Sequence, residues 1–167
     1  VYAGDLKGNV WKFNLESSSS DSWNVAFSGD PMFVARDAGG ERQPITAELL
    51  LAQNPDMAVS PVYVFFGTGS YVFTTDPSST QVQTWYGLID GTSRISGRLG
   101  LIEREFESMG NVGANRVRVS SESVDGDMVG KRGWYLDFLE PGLDPTGERV
   151  IAQSYLVESI EPVLLVG

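Results

Sequence analysis

Val1-Tyr2-Ala3-Gly4-Asp5-Leu6-Lys7-Gly8-Asn9-Val10-Trp11-Lys12-Phe13-Asn14-Leu15 is the stretch whose reading sets the fold. It reads as strand, turn, strand. Gly8-Asn9 supplies the positive φ of a tight hairpin, because glycine has no Cβ to clash and asparagine tolerates the left-handed region. In a pleated second strand Trp11, Phe13 and Leu15 fall on one face, and Val10, Lys12 and Asn14 on the other. The same design recurs downstream. Val62-Tyr63-Val64-Phe65-Phe66 runs into Gly67-Thr68-Gly69 and then Ser70-Tyr71-Val72-Phe73, again an apolar strand, a glycine turn and an aromatic strand. Pro162-Val163-Leu164-Leu165-Val166-Gly167 looks like the first half of that hairpin, stopped at its glycine turn.

Between these stretches lie further short strand candidates at 23–28 and 32–36, separated by Gly29-Asp30-Pro31. Ile45, Ala47, Leu49 and Leu51 alternate with Thr46, Glu48 and Leu50, a period of two that predicts a strand between Pro44 and Pro55. Helix propensity in Ala-Glu-Leu-Leu-Leu-Ala is the competing reading there. Strands are expected again over 83–90, 94–106, 116–120, 133–138 and 148–157. With 19 glycines, 8 prolines and 11% aromatic residues, 167 residues of this pattern form one all-β segment, 1–167. The expected architecture is a partial, modified β-propeller of antiparallel sheet. At roughly 40 to 50 residues per blade the chain holds about three to four blades. The opening hairpin and the closing strand both read as pieces of a blade, so the segment is expected to be incomplete at both ends, its N-terminus a cut in a longer chain.

Composition excludes several functions. Twelve Lys and Arg against 22 Asp and Glu give a net charge of −10, which repels nucleic acid and anionic membrane surfaces and leaves divalent cations or basic protein patches as partners. The longest apolar run, 62–66, is far too short to span a membrane. With no cysteine there is no disulfide framework and no thiolate metal site, and with no histidine there is no Ser-His-Asp or Cys-His catalysis. Carboxylate-pair chemistry of the glycosidase kind remains, but 22 acidic residues offer too many pairs to single one out.

Individual motifs add little chemistry. Gly67-Thr68-Gly69 lacks the lysine and the helix of a phosphate-binding loop and reads as a hairpin turn. Ser123-Val124-Asp125-Gly126-Asp127 has an Asp-x-Asp spacing without the further ligands of a calcium loop, and reads as an exposed acidic turn. Trp11, Trp85 and Trp134 sit in strand patterns and are expected between neighbouring sheets, not in a sugar-stacking platform. Arg116 and Arg118 share one strand face and form a small positive patch. No catalytic, cofactor-binding or metal-ligating residue is assigned.

The opening motif from Tyr2 to Phe13 resembles a hallmark stretch of the PilY-like family of type IV pilus tip-associated adhesins and assembly factors. Similar motifs follow in order: Pro44-Ile45-Thr46-Ala47, Phe66-Gly67-Thr68-Gly69 with Tyr71, Trp85-Tyr86-Gly87-Leu88-Ile89-Asp90, Gly133-Trp134-Tyr135-Leu136-Asp137 and Gly147-Glu148-Arg149-Val150. The resemblance implies part of a C-terminal β-propeller on a secreted protein of the outer membrane surface or pilus tip. It implies a non-enzymatic role in pilus biogenesis and surface adhesion. The expected partners are minor pilins, a host or abiotic surface, and the remainder of the parent propeller. Family members carry a calcium loop just before the Tyr-Ala-Gly-Asp motif. Calcium is therefore expected of the parent upstream of Val1, with no cofactor held in this chain, and Asp5 is read as a turn residue. A quinoprotein-like propeller enzyme and a scaffold propeller of an envelope assembly machine are the alternative readings.

Overall fold

A computed structural model describes residues 1–53, 62–157 and 163–165. Two larger sheets dominate. The first begins with β1 (Tyr2–Gly4) and β2 (Asn9–Asn14), an antiparallel hairpin in which Ala3 lies opposite Trp11. Gly8 takes φ +74 at its turn, and a Cβ there would run into the carbonyl of Gln43. Two short strands, β3 (Asn24–Val25) and β4 (Phe33–Val34), pair with opposite ends of β2. The second sheet is assembled from β5 (Leu50–Gln53), β6 (Val62–Gly67), β7 (Thr84–Ile89), β8 (Ile102–Arg104) and, later in the chain, another strand. A hairpin, β9 (Phe106–Val112) and β10 (Asn115–Ser120), stands apart as a two-stranded ribbon. Then β11 (Gly133–Asp137) completes the second sheet in the order β5-β6-β7-β11-β8. All of its neighbours are antiparallel except β8 and β11, which run parallel. A last pair, β12 (Tyr155–Val157) and β13 (Val163–Leu165), forms a further antiparallel ribbon. None of these sheets closes on itself among the described residues. The fold is all-β and that of a partial propeller.

Alternation along β7 explains how the sheets stack. Tyr86 and Leu88 point to one face and meet Phe66, Val64 and Tyr135, which register places beside them. Val10, Met32 and Phe33 of the first sheet cover that face, with Phe33 edge-on to Tyr86 at 5.1 Å between ring centres. Trp85 points to the other face, where Phe106, Phe138, Val150 and Trp134 form a second core. Glycines permit the close approach: a Cβ on Gly87 would come within 2.6 Å of the Trp134 ring, and one on Gly67 would collide with Val150. Every residue of β7 is buried, as expected of a strand covered on both sides.

Arg98, Asp137, Thr84 and Gln43 form a paired polar cluster in this seam. Arg98 straddles the carboxylate of Asp137 at 2.8 and 2.9 Å, donates to Thr84 Oγ1 and to the Tyr86 hydroxyl, and lies 4.4 Å over the Tyr135 ring. Thr84 donates to Asp137 and accepts from both Arg98 and the buried Gln43, which uses all that one hydroxyl offers. Burial opposes the charge of Arg98, yet the bonds to Asp137 and the nearby Tyr86 keep its pKa above the ordinary arginine value. At the far end of the seam, Lys12 of β2 reaches Asp90 beyond β7 at 2.7 Å.

Several expectations change. The alternation over 45–51 predicts a strand there, but the strand begins only at Leu50; Ile45 is buried in an irregular segment whose amide bonds to Asp5 O. Neither 94–101 nor 148–154 is a strand: Ile95 and Val150 are held by single backbone bonds to Met32 and Thr68. Residues 23–28 and 32–36 shrink to two-residue strands, because Phe27 and Ser28 take positive φ in a tight 3₁₀ turn. Trp11, expected in the core, is half-buried: Val10 and Lys12 supply the core face of β2, and the Trp11 face points away. Pro55, Pro162 and Gly167 lie outside the described residues.

Candidate docking surface

The largest departure from the sequence reading is also the most prominent surface feature. Gly67-Thr68-Gly69 with Ser70-Tyr71-Val72-Phe73 predicts a hairpin, yet no strand follows β6 there. Thr68 instead bonds to Thr84 and Val150, and the chain leaves as a loop that returns at β7. At its apex Tyr71, Val72 and Phe73 stand 56%, 61% and 60% exposed.

Two side chains build this loop. The Asp76 carboxylate accepts from the Ser70 hydroxyl at 2.7 Å and from the amides of Val72 and Phe73 at 2.9 Å each, folding the apex around one oxygen. The amide of Phe73 and the Ser70 hydroxyl hold that carboxyl below the usual aspartate range. Arg149 arrives from the far end of the chain. Its guanidinium donates to the carbonyls of Ser70, Asp76 and Ser79 and lies 4.8 Å over the Tyr71 ring. Tyr71, Val72 and Phe73 are thus presented largely to water on backbone held by Asp76 and Arg149, with the Tyr71 ring under the Arg149 guanidinium. An exposed apolar cluster on a rigid frame is the mark of a protein contact site, since little conformational entropy remains to be lost on binding. Behind the apex, a groove of about 740 Å³ separates Val72 from Leu6, Lys7, Trp11, Ile45 and Thr46.

The other singled-out residues are otherwise engaged. Asp5 accepts from the amides of Lys7 and Asn9 on one oxygen and from Asn9 Nδ2 and Trp11 Nε1 on the other, at 2.8 to 2.9 Å. It is a turn residue, and with both oxygens committed to N–H donors it does not fit a calcium ion. Asp127 receives the Val124 amide and the Arg104 guanidinium, which ties the 123–127 turn to β8. Arg118 forks onto Glu148 and covers the Phe106 ring, so it anchors the β9–β10 ribbon instead of forming a free positive patch; the Arg116 side chain lies outside the described residues. Trp85 and Trp134 do pack in the second core. Among the described residues, no three acidic side chains gather as a metal site. The exposed loop was missed in the sequence because its aromatic run mimics a strand; the signal present was Asp76-Pro77-Ser78-Ser79, a turn former directly behind it.

A family profile for the PilY1 β-propeller domain matches residues 1–112. The chain belongs to the PilY1 β-propeller family. Two PilY1 homologues described as type IV pilus biogenesis factors, both of Xylella fastidiosa, are 35% and 37% identical over 93% and 92% of the chain. The type IV pilus biogenesis factor PilY1 of Pseudomonas aeruginosa is 30% identical over 97% of it. These matches span 11%, 12% and 17% of the relatives' own lengths, so the chain corresponds to a small part of such proteins. The crystal structure of the P. aeruginosa PilY1 C-terminal domain superimposes with a TM-score of 0.79 at 28% identity, over 92% of this chain and 38% of that one. The PilY1 likeness therefore extends from sequence to the arrangement of the sheets.

Proposed function

We propose that this segment is a non-enzymatic docking module of a type IV pilus biogenesis protein, placed at the outer membrane surface or the pilus tip. Minor pilins at the tip bind the loop bearing Tyr71, Val72 and Phe73, and the same exposed face contributes to attachment to host or abiotic surfaces. The carrying observation is the loop itself, three apolar side chains held in water by Asp76 and Arg149. The names of the PilY1 relatives support the pilus assignment. Among the described residues no helix is long and apolar enough to cross a membrane. Calcium regulation belongs, on this reading, to parts of the parent outside this segment.

The test uses the full-length parent carrying Tyr71→Ser and Phe73→Ser together, with purified minor pilins immobilised on a sensor. Aromatic anchors at an interface centre contribute about 2 kcal/mol or more, so affinity is expected to fall by more than about tenfold while thermal stability stays put. Unchanged affinity for every minor pilin would remove the loop from the binding site.

A further inference from the structure

We propose that the hairpin carrying Arg36 and Arg42 is a binding site for the carboxylates of a short acidic peptide segment on a separate protein. It uses none of the residues of the Tyr71 loop and does not rest on the pilin reading. Beyond β4 the chain runs through Ala35, whose amide bonds to the Gly8 carbonyl, into a turn where Arg36 pairs directly with Arg42. Both side chains are exposed. Like charges set opposite each other across a strand pair repel, a cost that a neighbouring carboxylate can offset. None does so here. Lys12, Arg94, Arg98, Arg104 and Arg118 are ion-paired, but Arg36 and Arg42 make no ion pair among the described residues, in a chain with 22 acidic residues against 12 basic ones. The acids of the turn itself face the other way: alternation sends Asp37 and Glu41 to the opposite side, where Asp37 accepts from the Glu41 amide and from Gln81 Nε2.

Both guanidiniums are held in position. Arg36 donates through Nη1 to the Gly40 carbonyl at 2.6 Å, and Arg42 donates through Nη1 to the Lys7 carbonyl at 2.7 Å and to Asn9 Oδ1 at 3.0 Å. Their backbone is tied down too, the Arg36 carbonyl by the buried Tyr86 hydroxyl and the Arg42 carbonyl by Gln81. Each arginine thus keeps its Nε–Nη2 edge without a partner among the described residues. That edge is the one that takes a carboxylate by two parallel hydrogen bonds. Opposite residues of a strand pair have their Cβ atoms about 5 Å apart, so the two forks lie side by side and suit two neighbouring acidic side chains of one segment. Lys7, exposed and without an ion pair among the described residues, adds a third cation; Asp5 beside it has both oxygens committed to N–H donors. The chain's overall charge of −10 selects for a short stretch. Salt screens charges beyond about 8 Å, so contact groups decide for a small ligand, whereas an extended anionic surface meets the rest of the acidic exterior.

The test measures binding of a fluorescent hexaglutamate peptide to the full-length parent at physiological salt by anisotropy, with hexaglutamine as the uncharged control. Saturable binding is expected for hexaglutamate alone. Arg36→Gln with Arg42→Gln is expected to weaken it by about tenfold or more, and Arg36→Lys with Arg42→Lys, which keeps the charge and loses the fork, to restore only part. Arg94→Gln with Lys131→Gln removes the same charge elsewhere and is expected to change affinity by less than about twofold. Should the double glutamine variant fail to fold, Arg36→Gln alone leaves the Arg42 bonds to Lys7 and Asn9 in place and is expected to weaken binding by about threefold or more. No binding of hexaglutamate by the parent, or an equal loss in the Arg94 and Lys131 control, would overturn the proposal. Displacement of the peptide more readily by inorganic phosphate than by succinate would overturn it too, by giving the site to a phosphate group.

Discussion

Single side chains in this protein mostly hold backbone in place. Asp5 is the plainest case: one carboxylate organises the first hairpin through four N–H donors. Burial pushes its pKa up, but the bonds from Asn9, Trp11 and Lys7 outweigh this and hold it below the usual value. A depressed folded pKa means that its stabilisation is present above the unfolded value, about 3.9, and is lost as pH falls through the folded one. Asp5→Asn turns an acceptor into a donor and is expected to destabilise the propeller by about 1–3 kcal/mol at neutral pH. The gap to the parent protein should narrow at about pH 3, read by denaturant unfolding at both pH values. Gly87→Ala tests the other residue-scale device. Its new methyl meets the Trp134 ring, and overpacking of this kind costs about 1–3 kcal/mol, to be read as a lower melting temperature with unchanged secondary structure. Asp5 was legible from the sequence as a turn residue, because its partners lie within six positions. The partner of Gly87 lies in another strand and was not.

At the scale of elements, hairpins set by nearby glycines were readable and loops set by distant side chains were not. The turn at Gly8 and the strands β6, β7 and β11 follow from local pattern alone. The aromatic run at 71–73 carries the same pattern and still is not a strand, because Asp76 takes the amides of Val72 and Phe73 and Arg149 holds the flanking carbonyls of Ser70, Asp76 and Ser79. Arg149→Ala is accordingly expected to raise amide exchange across residues 70–79 and, under the proposed docking role of the loop, to weaken pilin binding by about tenfold, since a loosened loop must be ordered again on binding. Exchange as slow as in the parent would show that Asp76 alone holds the loop. The β9–β10 ribbon follows the same logic at its base, where Arg118 locks onto Glu148. Its strands were anticipated only in part, since 106–112 carries few apolar residues to betray them.

For the whole molecule, the seam between the two sheets is the decisive structure. Phe33, Phe66 and Tyr86 pack there in mutual contact, and Phe33→Ala is expected to cost about 3–5 kcal/mol and to uncouple the sheets, seen as loss of near-UV dichroism at lower denaturant. Alkaline pH attacks the same place. Burial raises the pKa of Tyr2, Tyr86 and Tyr135, the last up to about 12. A raised folded value means stability that is complete below the unfolded tyrosine pKa of about 10 and declines as pH climbs past it through the folded values. Part of the tyrosinate absorbance should therefore appear only together with unfolding, and a smooth titration of all six tyrosines without loss of structure would contradict the seam. By itself the sequence determined the all-β class, the glycine-aromatic hairpins and the exclusion of histidine and cysteine chemistry, because those depend on residue type and on neighbours a few positions away. Which face of each strand is buried, and which aromatic stretch is left in water as a loop, was decided only by the tertiary structure, because stacked sheets and the reach of Arg149 bring together groups more than seventy residues apart.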